Sequence, residues 1–249
     1  MKRSMMIASV LATFLLSSLT ALGQTQSRSD VLKEIEQKRA ELAALEENFL
    51  QPGDDDRARY AEFLHQPNTG LIRLLPREKF DSEVYKNNKK TITMRGGGAY
   101  YSFVSKSHPY GYGSDISLDK GYLQTGFAGA DYGMLADLGG LSIEDVGPET
   151  NAVAVFAAYE VPTEEALARS EFRRIQQGAE LNGWTVKNRV PMRLNSTYLL
   201  RSINYLRSDV LVVFKVVRID SDGSATLLWK LLKKYDKPKL KSTAVVEIR

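Results

Sequence analysis

The chain has 249 residues, with 34 Lys and Arg against 30 Asp and Glu, two His and no Cys. Without cysteine there is no disulfide scaffold, no thiolate metal site, no cysteine nucleophile and no thiol redox chemistry, and two histidines rule out a histidine-rich metal cage. At 43% hydrophobic and 26% charged residues, the composition is that of an ordinary folded chain.

Lys2 and Arg3 are followed by no further charge until Arg28, and Met5 to Leu16 is apolar apart from Ser9 and Thr13. Ala21-Leu22-Gly23 then supplies a small-x-small site before Gln24. A basic start, an apolar run and a small-residue cleavage site describe a secretory signal peptide over residues 1–23. The expectation is an exported protein, periplasmic or secreted, with no transmembrane segment in the mature chain. Losing Lys2 and Arg3 lowers the net charge from +4 to +2. The basic excess then lies beyond Arg201, in Lys230, Lys233, Lys234, Lys237, Lys239 and Lys241. No aromatic residue follows Tyr235 to act as a stacking platform for bases, so no nucleic-acid partner is expected.

Ser29 to Leu50 reads as an amphipathic helix, capped by Ser29 or Asp30 and stopped by Pro52-Gly53. Val31, Ile35, Leu42, Leu45 and Phe49 follow an a/d pattern with Lys38 intruding. That pattern suits self-association through residues 29–50, or packing of the helix on its own body. Residues 24–56 thus form a helix and an acidic hinge. A second short helix is expected over 57–64.

Residues 57–150 form a Gly/Tyr-rich β region. Thr91 to Gly147 holds 12 of the 18 glycines and 6 of the 12 tyrosines. Thr91–Met94 and Ala99–Val104 read as strands on either side of Gly96-Gly97-Gly98. Ile116–Leu118 and Tyr122–Thr125 read as a hairpin with Asp119-Lys120-Gly121 as a three-residue loop.

Residues 151–249 read as a β-rich region with one covering helix; this and the preceding region are compatible with a single domain. Ala152–Val161 is expected as a strand, and a helix capped by Thr163 follows, with an ion pair between Glu165 and Arg169. Trp184–Val190, Thr197–Leu206, Val210–Ile219 and Ala225–Leu232 read as strands, the last two joined by an Asp222-Gly223 turn. Val210–Ile219 is apolar on both faces, so it belongs inside a sandwich or under the helix. The fold class is therefore α+β: a mainly antiparallel sheet, sandwich-like or helix-covered, preceded by an N-terminal amphipathic helix.

For chemistry the motifs are sparse. Gly96-Gly97-Gly98 lacks the Lys-Ser/Thr and the helix that a phosphate loop needs. Asp54-Asp55-Asp56 lacks the alternating ligands of a calcium loop. Neither a metal nor a cofactor is expected. Tyr100, Tyr101, Tyr110, Tyr112, Tyr122 and Tyr132 stand among glycines, a composition suited to recognition of a protein or a carbohydrate. The reading that follows is an exported protein with a non-catalytic binding or structural role, recognising its partner through residues 96–133. The alternative is an exported hydrolase using His108 with Asp115 and an unidentified serine.

Overall fold

The computed structural model describes residues 27–81 and 95–241. The signal sequence over 1–23 and the strand expected at Thr91–Met94 lie outside them. The chain divides into two compact units, Met1–Ala44 and Leu45–Arg249.

The first unit holds most of α1 (Arg28–Leu50). The cap is Ser27 rather than Ser29 or Asp30: its Oγ accepts the Asp30 N–H at 3.2 Å and donates to the Asp30 carboxylate at 2.7 Å. A serine oxygen there satisfies one of the amides that the first turn leaves open. Val31, Ile35 and Leu42 all stay exposed along one stripe.

In the second unit, α2 (Asp54–Arg59) and α3 (Ala61–Leu64) follow the Pro52-Gly53 stop. The acidic run is helical, with Asp54 and Asp55 exposed and Asp56 buried. Three aspartates occupy the first turn of α2, where the helix dipole favours negative charge. Asp56 among them is buried in an ion pair with Arg218.

The central layer is a five-stranded antiparallel sheet in the order β1 (Thr69–Leu74), β11 (Ala225–Tyr235), β10 (Ser208–Ile219), β9 (Thr197–Asn204) and β5 (Tyr132–Asp137). A four-stranded antiparallel sheet holds β2 (Tyr100–Tyr101), β3 (Ile116–Asp119), β4 (Tyr122–Gln124) and β8 (Arg189–Pro191). A short helix, α4 (Arg77–Phe80), follows β1, and β6 (Ala179–Leu181) and β7 (Trp184–Val186) form a separate ribbon.

β10 explains the layering. Val210, Val212, Phe214 and Val216 join Tyr101, Phe103, Ile116, Leu118 and Leu123 of the smaller sheet and its loops in one core cluster. Leu211 and Val213 point the other way, into a cluster with Phe156 and Ile175. Those two residues come from α5 (Asn151–Ala157) and α6 (Glu165–Gln177). Both faces of the strand are covered because the alternating side chains meet a sheet on one side and helices on the other. The α+β, mainly antiparallel architecture is thus both sandwich-like and helix-covered.

Several elements differ from expectation. Ala152–Val161 is a helix, not a strand: Ala152, Val153 and Phe156 are buried at a spacing that lines one helical face. α6 begins after Glu164 with no side-chain cap, so Thr163 does not play that part. The Glu165–Arg169 pair forms at 2.6 Å, and Gly178 ends the helix with φ 93°. Of Ala99–Val104 only Tyr100–Tyr101 is strand. The β3–β4 connection is a two-residue turn. Lys120 and Gly121 both have positive φ, and Asp119 pairs with Tyr122, so the twist of the turn matches that of the strands. Trp184–Val190 splits between β7 and β8, which belong to different sheets.

Candidate functional site

The site grows out of β9. On the face of β9 toward the smaller sheet, Tyr198 and Leu200 give way to Ser202 and Asn204. All four are buried, so the apolar core changes to a polar one without reaching water. Asp115, just before β3, fills that space. Its Oδ1 accepts Ser202 Oγ at 2.8 Å and Asn204 Nδ2 at 3.0 Å, and its Oδ2 accepts the Phe103 N–H at 2.8 Å. The Ser102 hydroxyl also bonds this carboxylate. Asn204 Nδ2 further reaches Ser208 Oγ at 3.2 Å. Burial pushes the Asp115 carboxyl above the usual carboxylate range, and these hydrogen bonds oppose the shift. A polar cluster this well satisfied is rigid, because every alternative arrangement leaves a buried group unpaired.

Ser102 and Ser208 carry the cluster outward into a cleft of about 180 Å³, lined also by Val104, Ser105, Pro109, Tyr112, Gly113 and Arg207. Its wall is the loop between β2 and β3. A Ser102–Ser107 bridge closes one end, and a turn in which Ser114 donates to the Pro109 carbonyl at 2.9 Å shapes the other. Arg207, in the tight β9–β10 turn, stacks on the ring of Tyr112 at 3.7 Å. Gly113 has φ 89°, and a Cβ there would stand 2.9 Å from Arg207 Nη1. The positive φ favours glycine, and a side chain there would push the guanidinium from its present seat.

The six tyrosines fall into two groups. Tyr100, Tyr101 and Tyr132 are buried. Tyr101 packs edge-on against Phe103 at 5.3 Å, and Tyr132 sits in the helix-side core with its hydroxyl 2.9 Å from that of Tyr159. Tyr110, Tyr112 and Tyr122 are exposed. Tyr110 leans on Tyr100 at 5.4 Å, and Tyr122 carries Arg189 over its ring at 3.8 Å. Of the six, Tyr112 lines the cleft.

His108 packs edge-on to Tyr101 at 5.1 Å. Burial lowers its pKa to about 4, while hydrogen bonds to the backbone of Tyr100 and Gly98 partly offset that effect. Among the described residues no hydrogen bond joins His108 to Asp115, whose oxygens are engaged by Phe103, Ser102, Ser202 and Asn204. Asp115 lies beside two serine hydroxyls and His108 does not share them.

Arg207, Ser102, Ser202, Asn204 and Ser208 were not singled out by the sequence reading. The signal for two of them was present: Ser202 and Asn204 continue the period-2 face of Tyr198 and Leu200. Among the described residues no group of three or more His, Asp or Glu side chains is placed to hold a metal ion, and no helix is long and apolar enough to cross a membrane. The chain matches no protein-family model, no curated protein and no solved structure.

Proposed function

We propose that the chain is an exported binding protein whose recognition surface lies in the Gly/Tyr-rich region, at the cleft between the β2–β3 loop and the β9–β10 turn, and that its ligand is a carbohydrate. One observation carries the reading. The exposed Tyr112–Arg207 stack lines one cleft with Ser102 and Ser208, whose hydroxyls are anchored in the hydrogen-bonded cluster around the buried Asp115 carboxylate. A rigid floor, an amphipathic ring and hydroxyls able both to donate and to accept suit a sugar. The test is binding of the full chain to a panel of neutral and acidic soluble polysaccharides, with Tyr112→Ala beside it. Binding lost on that substitution supports the proposal. A panel that gives no binding, or binding indifferent to Tyr112→Ala, sinks it.

Export rests on the Lys2-Arg3, apolar and Ala21-Leu22-Gly23 pattern. Amino-terminal sequencing of the protein recovered outside the cytoplasm is expected to begin at Gln24; an intact Met1 in that fraction would refute cleavage.

A second copy is proposed as the partner of α1. The support is the exposed stripe of Val31, Ile35, Leu42 and Leu45, spaced as the a/d seam of a short coiled coil; Phe49 at its end packs edge-on against Phe80 instead. Sedimentation of a chain lacking residues 24–44 is expected to show a smaller oligomer. An unchanged mass removes the idea.

A further inference from the structure

We infer that the cleft takes the carboxylate of an acidic sugar, with Arg207 as the anchoring cation; the inference rests on the carbohydrate-binding reading and specifies its ligand. Arg73, Arg77, Arg169, Arg174, Arg193, Arg201 and Arg218 each have a carboxylate within ion-pair distance. Arg207 has no carboxylate at that distance and no guanidinium hydrogen bond among the described residues; Arg59, Arg173 and Arg189 also lack an ion pair there, but of these four only Arg207 lines the cleft. Yet it is held in place. The Tyr112 ring supports one face, and the missing Cβ of Gly113 makes room for Nη1. Stacking occupies the face of a guanidinium and leaves its in-plane N–H donors unspent. A positioned arginine with unspent donors, lining a cleft, is an anion site in which little ordering entropy is left to lose.

The surroundings choose among anions. One guanidinium matches one carboxylate by two parallel hydrogen bonds. A doubly charged phosphate would call for more positive charge than this cleft supplies. Lys106, on the same loop, directs its ammonium over Trp229 at 5.9 Å instead. The negative charge of Asp131 also acts on Arg207 and weakens the local field. Ser102, Ser105 and Ser208 line the same cleft; their hydroxyls already bond Asp115, Ser107 and Asn204, and a hydroxyl that holds one such bond keeps capacity for a second to a sugar hydroxyl. The volume, about 180 Å³, is below that of a drug-sized pocket and suits one ring with its acid group. Tyr112 remains 46% exposed and offers ring area beside the cation.

The experiment titrates the full chain by calorimetry and by amide NMR with trigalacturonate, galactotriose and cyclohexanecarboxylate. The expected result is that trigalacturonate binds, with shifts at Ser102, Ser105, Gly113 and Ser208. Its affinity should exceed that of galactotriose by about tenfold or more, the value of a charge-assisted bidentate contact. Arg207→Gln should lose that margin, and Gly113→Ala, which displaces the same guanidinium, should lose most of it, each with an otherwise native amide spectrum. Galactotriose binding as well as the acid, with Arg207→Gln silent and Tyr112→Ala disruptive, overturns the acidic ligand and keeps the carbohydrate surface. Cyclohexanecarboxylate binding as tightly as trigalacturonate overturns the sugar. No saccharide binding, with no shifts in residues 102–113, overturns both the inference and the reading beneath it.

Discussion

Arg201 and Asp209 form a two-pronged ion pair inside the protein, Nε to Oδ1 at 3.0 Å and Nη2 to Oδ2 at 2.9 Å, with side chains only 3% and 4% exposed. The pair runs diagonally across β9 and β10, where Arg201 lies opposite Leu211 and Asp209 opposite Ile203. The third guanidinium nitrogen, Nη1, donates to the carbonyls of Phe156 and Tyr159 at 2.7 and 2.9 Å, and so satisfies carbonyls at and just beyond the end of α5. Tyr235 lies under the guanidinium at 3.9 Å, and its hydroxyl donates to the Ala157 carbonyl at 3.3 Å. One arginine therefore ties sheet to helix. Arg201→Met leaves Asp209 charged and buried without a partner, and should cost about 3–5 kcal/mol in urea unfolding. The double substitution Arg201→Met with Asp209→Leu should be more stable than Arg201→Met alone, because the stranded charge is gone. It should still fall short of the parent chain, since the α5 carbonyls stay unpaired. A double variant as unstable as the sum of the singles would show that the pair is not coupled.

The edge of the central sheet depends on a missing side chain. Gly70 of β1 lies opposite Trp229 of β11, and a Cβ at Gly70 would come within 2.5 Å of the indole. Nothing about its backbone requires glycine; the requirement is space. The ring cannot retreat easily, because it also packs against Phe103 at 5.3 Å. Gly70→Ala should destabilise by about 1–3 kcal/mol through overpacking, read as a lowered unfolding midpoint. Restoring the loss with the additional change Trp229→Phe would identify the clash as the cause. An unchanged midpoint for Gly70→Ala alone would refute it.

How much of this was legible in the residues differs from element to element. The layering was, because β10 writes it twice: Val210, Val212, Phe214 and Val216 on one face, Leu211 and Val213 on the other, a pattern only a strand between two layers can carry. Ala152–Val161 was not. Its valines favour strand on propensity, but propensity yields to packing, and Ala152, Val153 and Phe156 are buried as a helical face against β9. The burial of Asp56 was not legible for a related reason: its partner is Arg218, more than 160 positions away. For the site, Tyr112 was within reach and Arg207 was not. Nothing local marks a turn arginine as the neighbour of a tyrosine on another loop. The glycine-rich composition pointed at the right loops, yet half of its tyrosines fill cores.

His108 gives a pH signature of definite sign. Burial lowers its pKa from 6.5 in an open chain to about 4 in the fold. Between those values the unfolded chain takes up a proton that the folded one refuses. The contribution is complete above pH 6.5 and is lost as the pH falls toward 4. His108→Gln cannot take up that proton. The stability of the parent chain relative to His108→Gln should therefore fall on acidification, by up to about 1.4 kcal/mol per pH unit. Urea midpoints of the two chains across pH 4 to 7 measure the difference. Parallel curves, or a His108 ring resonance titrating near 6.5, would show that the fold does not hold this imidazole neutral.

Asp131 runs the other way and reports on the cleft. Burial raises its pKa from 3.8 to about 6, opposed by a hydrogen bond from the Tyr205 N–H at 2.8 Å and by the charge of Arg207. Its second oxygen, Oδ2, is buried with no hydrogen-bond partner among the described residues, which is why ionisation is unfavourable there. Here the folded chain holds its proton more tightly than the unfolded one, so between pH 3.8 and 6 stability drops as the pH rises. Relative to Asp131→Asn, which keeps an oxygen for Tyr205, the parent chain should lose stability over that window and run parallel above it. Arg207 gives the sharper check. Its cation is one of the two influences holding the Asp131 pKa down, so Arg207→Gln should move the carboxyl titration to higher pH in a carbon-detected NMR experiment. A ligand carboxylate paired with Arg207 should move it in the same direction, because it neutralises the same charge. An Asp131 titration that stays put in Arg207→Gln would mean that the guanidinium is not where the Tyr112 stack and the Gly113 gap hold it.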